Sequence, residues 1–275
     1  MTDTTSAVTF KALGISISLD VANADLRNAI LAIYGAFPTQ HDAPLRHLQG
    51  GLNSTSAGTT AWLGDNSTTV TDPWLAIRAL NHLIVDAVVL ERRDLLHFHA
   101  AVIEYRGVGF VFMGEAGAGK SSLSLAFCEL GATFLSDELL AFDVATQTAL
   151  AFPRAPKLRE ISQPSFPQAL SVSVGMGDST FVPLHSLERT TVGMVTSPKI
   201  IVFPRYQAIP GAIVEGMTAG QSSVEASLHA LNFGSHGPDN ALSGLAALTM
   251  PCRSFKVGWS NPKAARDAIL WSISP

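Results

Sequence analysis

A chain of 275 residues with 47% apolar side chains is long enough to bury one large core or two small ones. Its 18 basic and 22 acidic residues leave a formal charge of −4, so it carries no basic footprint for nucleic acid or an anionic membrane. Two cysteines, Cys128 and Cys252, stand far apart in apolar surroundings, which excludes a disulfide framework or a cysteine-built metal site and reads as two buried thiols.

Met1 to Thr5 lacks the basic region and apolar core of an export signal. The apolar runs further on are too short or too interrupted to span a bilayer, so a cytoplasmic protein is expected. Residues 7–21 alternate apolar and polar side chains, as paired strands do. Asn23 or Asp25 is placed to cap a helix from Leu26 to Tyr34, which Gly35 and Pro38 bring to an end. Residues 39–72, rich in Ser, Thr, Gly and Asn, read as short strands and loops around Ala61-Trp62-Leu63. Asp72-Pro73 then opens a long helix from about Trp74 to Arg92, with Asp72 as N-cap and Pro73 in the first helical position. Leu75, Ala79, Leu83, Val85, Val89 and Leu90 form its predicted buried face, while Trp74, His82 and Asp86 read as packed or solvated groups.

Leu95 to Tyr105 reads as a strand in which alternation puts His97 and His99 on one face and Phe98 on the other. Arg106-Gly107 turns it into the apolar strand Val108 to Met113. There follows Gly114-Glu115-Ala116-Gly117-Ala118-Gly119-Lys120-Ser121, a G-x-x-x-x-G-K-S pattern, and Ser122 to Leu130 leaves it with helical periodicity. Strand, glycine-rich loop and helix in that order make a phosphate cradle. The glycines let successive N–H groups point at phosphate oxygens, beside a helix N-terminus. On this reading residues 114–122 hold a nucleoside triphosphate, Lys120 reaches the β- and γ-phosphates, and Ser121 Oγ ligates Mg²⁺. The plain alternative, a glycine-rich turn before a helix, explains neither the lysine nor the serine.

Gly131 is placed to end that helix. Ala132 to Ser136 reads as a strand, expected to lie next to the loop strand and ending in Asp137-Glu138. An acid there can hold Mg²⁺ through water or accept the proton of an attacking hydroxyl, and two adjacent acids with diverging side chains can divide those jobs. A histidine nearby can relay a proton or hold a carboxylate, or be an ordinary hydrogen-bonded histidine. Leu139 to Asp143 continues as strand. Residues 150–190, punctuated by Pro153, Pro156, Pro164, Pro167 and Pro183, form an irregular connection of the kind used as a lid or clamp. Arg154, Lys157 and Arg159 make it locally basic, able to grip phosphate or an acidic tail. Gly175-Met176-Gly177-Asp178 imitates a second glycine-rich loop but reads as a hairpin turn, since no helical pattern follows. Pro198 to Arg205 is a buried strand with Arg205 at its exit, and Ser222 to Asn232 and Asn240 to Leu248 are short helices. Cys252 to Trp259 is a strand, and Asn261-Pro262 starts a closing helix to Ser272.

The order His99, Gly107-Val108-Gly109, Gly114 to Ser121, Gly131 and Asp137-Glu138 resembles the catalytic domain of bacterial HPr kinase/phosphorylase. The resemblance implies an α/β fold, with a P-loop kinase core of the HPr kinase/PEP carboxykinase type and a mixed sheet over residues 94–275. A small N-terminal α+β module over residues 1–93 precedes it, and does not look like that family's N-terminal domain. By the resemblance, Asp137 lies where the family's general base takes the proton of the acceptor serine. Glu138 replaces the family's second Asp, and His99 takes the place of the histidine near the acid pair. Ser122 stands where the family usually has an acid, and the family's signature segment for phosphorolysis is not found downstream. Leu96-His97-Phe98-His99-Ala100-Ala101, Ser136-Asp137-Glu138 and Phe152-Pro153-Arg154 are similar to an HPr-kinase-like branch. Some of its members phosphorylate a peptide serine in ribosomal-peptide gene clusters, including those of lasso peptides.

The expectation is an ATP- and Mg-dependent kinase acting on a hydroxyl, most simply a serine of a peptide or protein. Asp137, His99 and Lys120 are its expected catalytic residues, and Ser121, Glu138 and Asp137 its expected metal contacts. Arg154, Lys157 and Arg205 are its expected phosphate or substrate contacts. A non-catalytic ATP-binding regulatory module and a kinase of a small-molecule hydroxyl are the alternatives. The family's hexamers make a homo-oligomer a further expectation.

Overall fold

The computed structural model describes residues 7–39, 43–171, 173–176, 179–208 and 210–274. Strands β1 (Ala7–Ala12) and β2 (Ile15–Val21) pair antiparallel across Leu13-Gly14, both at positive φ. Phe10, Ile15, Ile17 and Leu19 point into the core, as the two-residue period of a strand dictates. Helix α1 (Ala24–Tyr34) starts at Asn23, whose side chain accepts from the Asp25 and Leu26 amides, so Asn23 rather than Asp25 is the cap. Strands β3 (Arg46–Thr55), β4 (Gly58–Leu63) and β5 (Asn66–Val70) complete a sheet of order β1-β2-β3-β4-β5. The stretch expected to be short strands and loops is therefore mostly continuous ladder. Its hydroxyls pair across strands, Thr60 with Thr69 at 2.8 Å and Ser54 with Thr59 at 3.0 Å, which suits a half-exposed sheet.

Helix α2 (Pro73–Glu91) begins as expected, Asp72 accepting the Trp74 N–H at 2.9 Å. Its buried face is only partly the expected one. Ala76, Ile77, Leu80, Asn81, Ile84 and Val88 are buried, the expected Ala79, Leu83, Val85 and Val89 are half-buried and pack against the same core, and the expected Leu75 and Leu90 are 48% and 55% exposed. The helix is apolar on more than one side, so periodicity leaves the choice of face to the sheet it packs on. By length and composition α2 is also apolar enough to cross a bilayer, which corrects the expectation drawn from interrupted runs. Here its inner face joins the core of the N-terminal sheet, a core that also takes in Leu139, Phe152, Ala155 and Phe181 from later in the chain.

The remaining elements are β6 (Leu96–Phe98), β7 (Ala100–Tyr105), β8 (Val108–Met113), α3 (Lys120–Cys128), β9 (Thr133–Ser136), β10 (Leu140–Asp143), β11 (Thr148–Leu150), β12 (Lys157–Arg159) and α4 (Pro167–Leu170). After them come β13 (Val174–Met176), β14 (Ser179–Phe181), β15 (Thr191–Val192), β16 (Val195–Thr196), β17 (Pro198–Tyr206), β18 (Ala212–Met217) and α5 (Ala219–Ser227). The chain closes with α6 (Phe233–His236), α7 (Pro238–Thr249), β19 (Arg253–Trp259) and α8 (Pro262–Ile273). A seven-stranded mixed sheet has the order β15-β9-β7-β8-β17-β19-β18, beside smaller sheets β16-β11-β10-β6 and β12-β14-β13. Alternation along β8 buries the large sheet on both faces. Phe110 and Phe112 join the cluster with α3 and α8, and Val111 and Met113 join the one with β10 and α7.

Several expectations change here. Leu95 to Tyr105 is not one strand: it breaks at His99, and β6 pairs with β10 while β7 pairs with β8 and β9. The acid-bearing strand β9 is not next to β8, because β7 lies between them, antiparallel to both. The 150–190 connection holds the β12-β14-β13 sheet and short helices rather than being irregular throughout. Strands β13 and β14 do form a hairpin, but residues 177–178 of its turn lie outside the described residues. Cys128 is buried, whereas Cys252 is only half-buried.

Candidate functional site

Strands β9, β8, β17 and β19 all run the same way, so Ser136, Met113, Tyr206 and Trp259 leave the sheet at one edge. The start of β7, with His99 just before it, is at that edge too. Sheets of this kind gather their ligands beyond such strand ends.

The glycine-rich loop spans β8 to α3. Gly117 and Gly119 have φ of 90° and 105°, the region glycine alone enters freely. A Cβ on Gly119 would lie 1.8 Å from the Trp259 indole, and one on Gly117 would lie 2.7 Å from the Arg159 guanidinium. Trp259 Nε1 also donates to the Ala118 carbonyl at 3.2 Å, clamping the loop from the β19 side. Lys120, the first residue of α3, is buried and turns back to donate to the Gly114 and Glu115 carbonyls at 2.7 and 3.2 Å. Burial lowers its pKa, while Asp137 and Glu138 work to raise it. Gly119 caps α3 without a side chain, so the first amides of the helix face the loop with no capping group.

The two acids that follow β9 take different hydrogen-bond partners but share the Arg154 guanidinium. Asp137 Oδ2 accepts from Ser121 Oγ at 2.8 Å and from the Lys157 amide at 3.1 Å, whereas Oδ1 is buried without a partner. Burial pushes the Asp137 carboxyl up to about 6, against the opposing pull of Arg154, Ser121 and the Lys157 amide. Glu138, with 28% of its side chain exposed, takes Arg154 Nη2 at 2.5 Å and lies 3.6 Å from His99 Nε2. Burial alone would raise its pKa, but Arg154, His99 and Lys120 together hold it below the usual range. His99 is pulled down to about 4 by burial and by Lys120, so its imidazole is neutral at neutral pH.

Of the residues singled out from sequence, the fold gathers Asp137, Glu138, His99, Lys120 and Ser121 around one loop, with Ser122 buried in the same helical turn. His97 goes elsewhere. Its ring lies 3.1 Å from the Asn232 carboxamide in the interior, and burial lowers its pKa to about 4. Arg154 is buried over the Phe181 ring, 5.4 Å from its centroid, and holds the acid pair instead of facing outward for phosphate. Lys157 contributes its backbone amide. Arg205 is exposed on the other side of the loop, at the end of β17.

Of the three cations read as a grip for phosphate or an acidic tail, Arg159 lies on Gly117 and has no acidic partner among the described residues. One residue went unmarked in the sequence. His229 accepts the His99 N–H on its carbonyl at 2.8 Å, and its ring is close enough to Lys120 to have its pKa lowered by burial and by that charge. Nothing in its sequence surroundings marks it. His82, read as packed or solvated, is near enough to lower the Glu138 pKa.

No group of three or more His, Cys, Asp or Glu able to cage a metal occurs among the described residues. The Ser121 hydroxyl on Asp137 Oδ2, with Oδ1 of the same carboxylate unpartnered, does fit a Mg²⁺ ion that takes its other ligands from phosphate and water. Chemically, then, the arrangement offers helix-start amides and a lysine to an anion, and a carboxylate of raised pKa to a proton.

No protein-family model and no curated protein sequence matches this chain. Among solved structures it matches the Hpr(Ser) kinase/phosphatase from Coxiella burnetii, at 11% sequence identity and a TM-score of 0.32, over 65% of this chain and 99% of that chain.

Proposed function

We propose that this chain is a Mg·ATP-dependent kinase that transfers the γ-phosphoryl group to a hydroxyl. The observation that carries the reading is the contact between Ser121 of the glycine-rich loop and Asp137, a buried carboxylate with one unpartnered oxygen and a pKa of about 6. The amides of residues 115–120 and Lys120 bind and orient the phosphates. Bound Mg²⁺ would neutralise phosphate charge, with Ser121 and Asp137 beside it. The acceptor oxygen attacks the γ-phosphorus, the bond from phosphorus to the bridging oxygen breaks, and ADP leaves. Asp137 takes the acceptor's proton, for which a pKa near the working pH is favourable. Arg154 keeps Glu138 ionised, and Arg159 supplies positive charge over the loop. Positioning and charge stabilisation suffice for such a transfer.

A second division of labour has its own support. Asp137 is tied to Ser121, the usual task of an acid that orients a metal ligand, while Glu138 is partly exposed and beside a neutral His99. In that version Glu138 takes the proton. The acceptor is proposed to be a serine of a peptide or protein, with ribosomal peptide precursors such as those of lasso peptides as the class, on the strength of the sequence resemblance. Residues 94–275 would carry the chemistry and residues 1–93 would form an accessory module.

The test is phosphotransfer from ATP to serine-containing peptides, followed by mass spectrometry. Wild type should add one phosphoryl group, and Asp137→Asn should lose the activity while still binding nucleotide. ATP binding with neither transfer nor hydrolysis would overturn the kinase in favour of a regulatory module.

A further inference from the structure

The glycine-rich loop has two sides. On the β9 side Asp137, Glu138, His99 and Arg154 crowd against it. On the other side, between the loop, the ends of β17 and β19, β18 and α5, there is an open cleft of about 840 Å³. That is within the range of small-molecule sites, roughly 300–1,000 Å³. Its floor is Gly114 to Ala118, so a ligand with its phosphates on the loop and its reacting end toward the acids extends its remainder into this cleft. We infer that the cleft is the nucleoside site, and that its side chains favour adenine over guanine. This rests on the nucleotide-binding part of the proposed function.

The lining fits a flat heteroaromatic ring. Tyr206 is 42% exposed at the cleft, and its ring is braced edge-on against Trp259, with centroids 5.5 Å apart at 85°. Trp259 is itself packed on Gly119, so the stacking surface is rigidly linked to the phosphate loop. Ile213 and Leu228 add exposed apolar side chains from β18 and from the end of α5. Next to Tyr206, Gln207 is fixed by its amide, which donates to the Trp259 carbonyl at 2.7 Å. Its carboxamide lies across Gly258, where a Cβ would come within 2.7 Å of Oε1, and makes no hydrogen bond among the described residues. A carboxamide offers one acceptor and one donor side by side. Adenine presents the complementary donor and acceptor on its N6/N7 edge; the same edge of guanine presents two acceptors, at O6 and N7, and guanine meets a carboxamide only when turned to its O6/N1–H edge.

Calorimetric titration of the full chain with ATP, GTP and inorganic tripolyphosphate, each with Mg²⁺, tests this. Wild type should bind ATP more tightly than either competitor. Tyr206→Ala should weaken ATP about tenfold, the scale of a lost base–aromatic stack, and leave tripolyphosphate within about twofold. Gln207→Leu should bring ATP and GTP to within about twofold of each other. ATP affinity unchanged by both substitutions, or ATP and tripolyphosphate weakened equally by Tyr206→Ala, overturns the nucleoside assignment and leaves phosphate binding standing. Wild type that binds neither ATP nor tripolyphosphate overturns the nucleotide reading itself and the assignment with it.

Discussion

Ser121 Oγ donates to Asp137 Oδ2 at 2.8 Å, tying the first turn of α3 to the end of β9 across the edge where β7 begins. The bond joins the serine of the glycine-rich loop to an acid, and it lets the two proposed proton acceptors be told apart. With Asp137 as acceptor, Asp137→Asn lowers the single-turnover rate by about 10²–10⁴-fold, and Glu138→Gln has the smaller effect. With Glu138 as acceptor the order reverses, and Asp137→Asn chiefly weakens the Mg²⁺ dependence. Rates measured over a range of Mg²⁺ concentrations for both variants decide between them.

The raised Asp137 pKa has a definite sign. Its carboxyl titrates near 6 in the fold against 3.8 for the free group, so the folded state holds a proton that the unfolded chain has released. Asp137 therefore favours folding most below pH 3.8, and that contribution is lost as pH rises to about 6. Asp137→Asn should be more stable than wild type at pH 7, by about 3 kcal/mol at most, and the gap should close toward pH 4. Urea denaturation of both proteins across that range is the measurement. In wild type, transfer should also fall as pH drops below about 6, as the carboxylate protonates.

Arg154 lies 2.5 Å from Glu138 and 3.8 Å from Asp137. Arg154→Leu removes the charge that offsets the burial of both acids. Stability should fall by about 2–3 kcal/mol, the cost of stranding a largely buried charge whose glutamate partner is partly solvated. The acid limb of the pH–rate profile should also move to higher pH. Arg154→Lys should restore part of the profile but not the packing on Phe181. Thermal melts read the first effect and pH–rate curves the second.

Gly119 combines a φ of 105° with the Trp259 indole in the space a side chain would need. Gly119→Ala should destabilise the fold by about 2 kcal/mol or more and abolish nucleotide binding. Gly216→Ala, on β18 with open space around it, should change neither, and melting curves with and without ATP compare the two.

Arg159 lies on the loop without an acidic partner among the described residues. If it meets the γ-phosphate, Arg159→Ala should weaken ATP about tenfold and ADP by less than about twofold, since a charge-assisted contact is then lost from the triphosphate alone. Paired ATP and ADP titrations check this.

The sequence by itself determined the pieces that depend on local backbone and period. These are the β8–loop–α3 unit with its glycines, the caps at Asp72 and Asn261, the β1–β2 pair, and an acid pair at a strand end. Each follows from chain neighbours a few residues apart, where steric limits and hydrogen-bonding side chains act directly. The tertiary structure decided which distant groups complete those pieces. Two histidines of one apparent strand parted because His97 met Asn232, 135 residues away, while His99 met Glu138 across a sheet junction. Likewise β12 delivered the Lys157 amide to Asp137 and Arg159 to Gly117, and the sheet buried Ala76, Ile77, Leu80, Ile84 and Val88 of α2 more deeply than the residues its periodicity selected. Such pairings depend on which surfaces can be buried together, and that depends on every element packed at once.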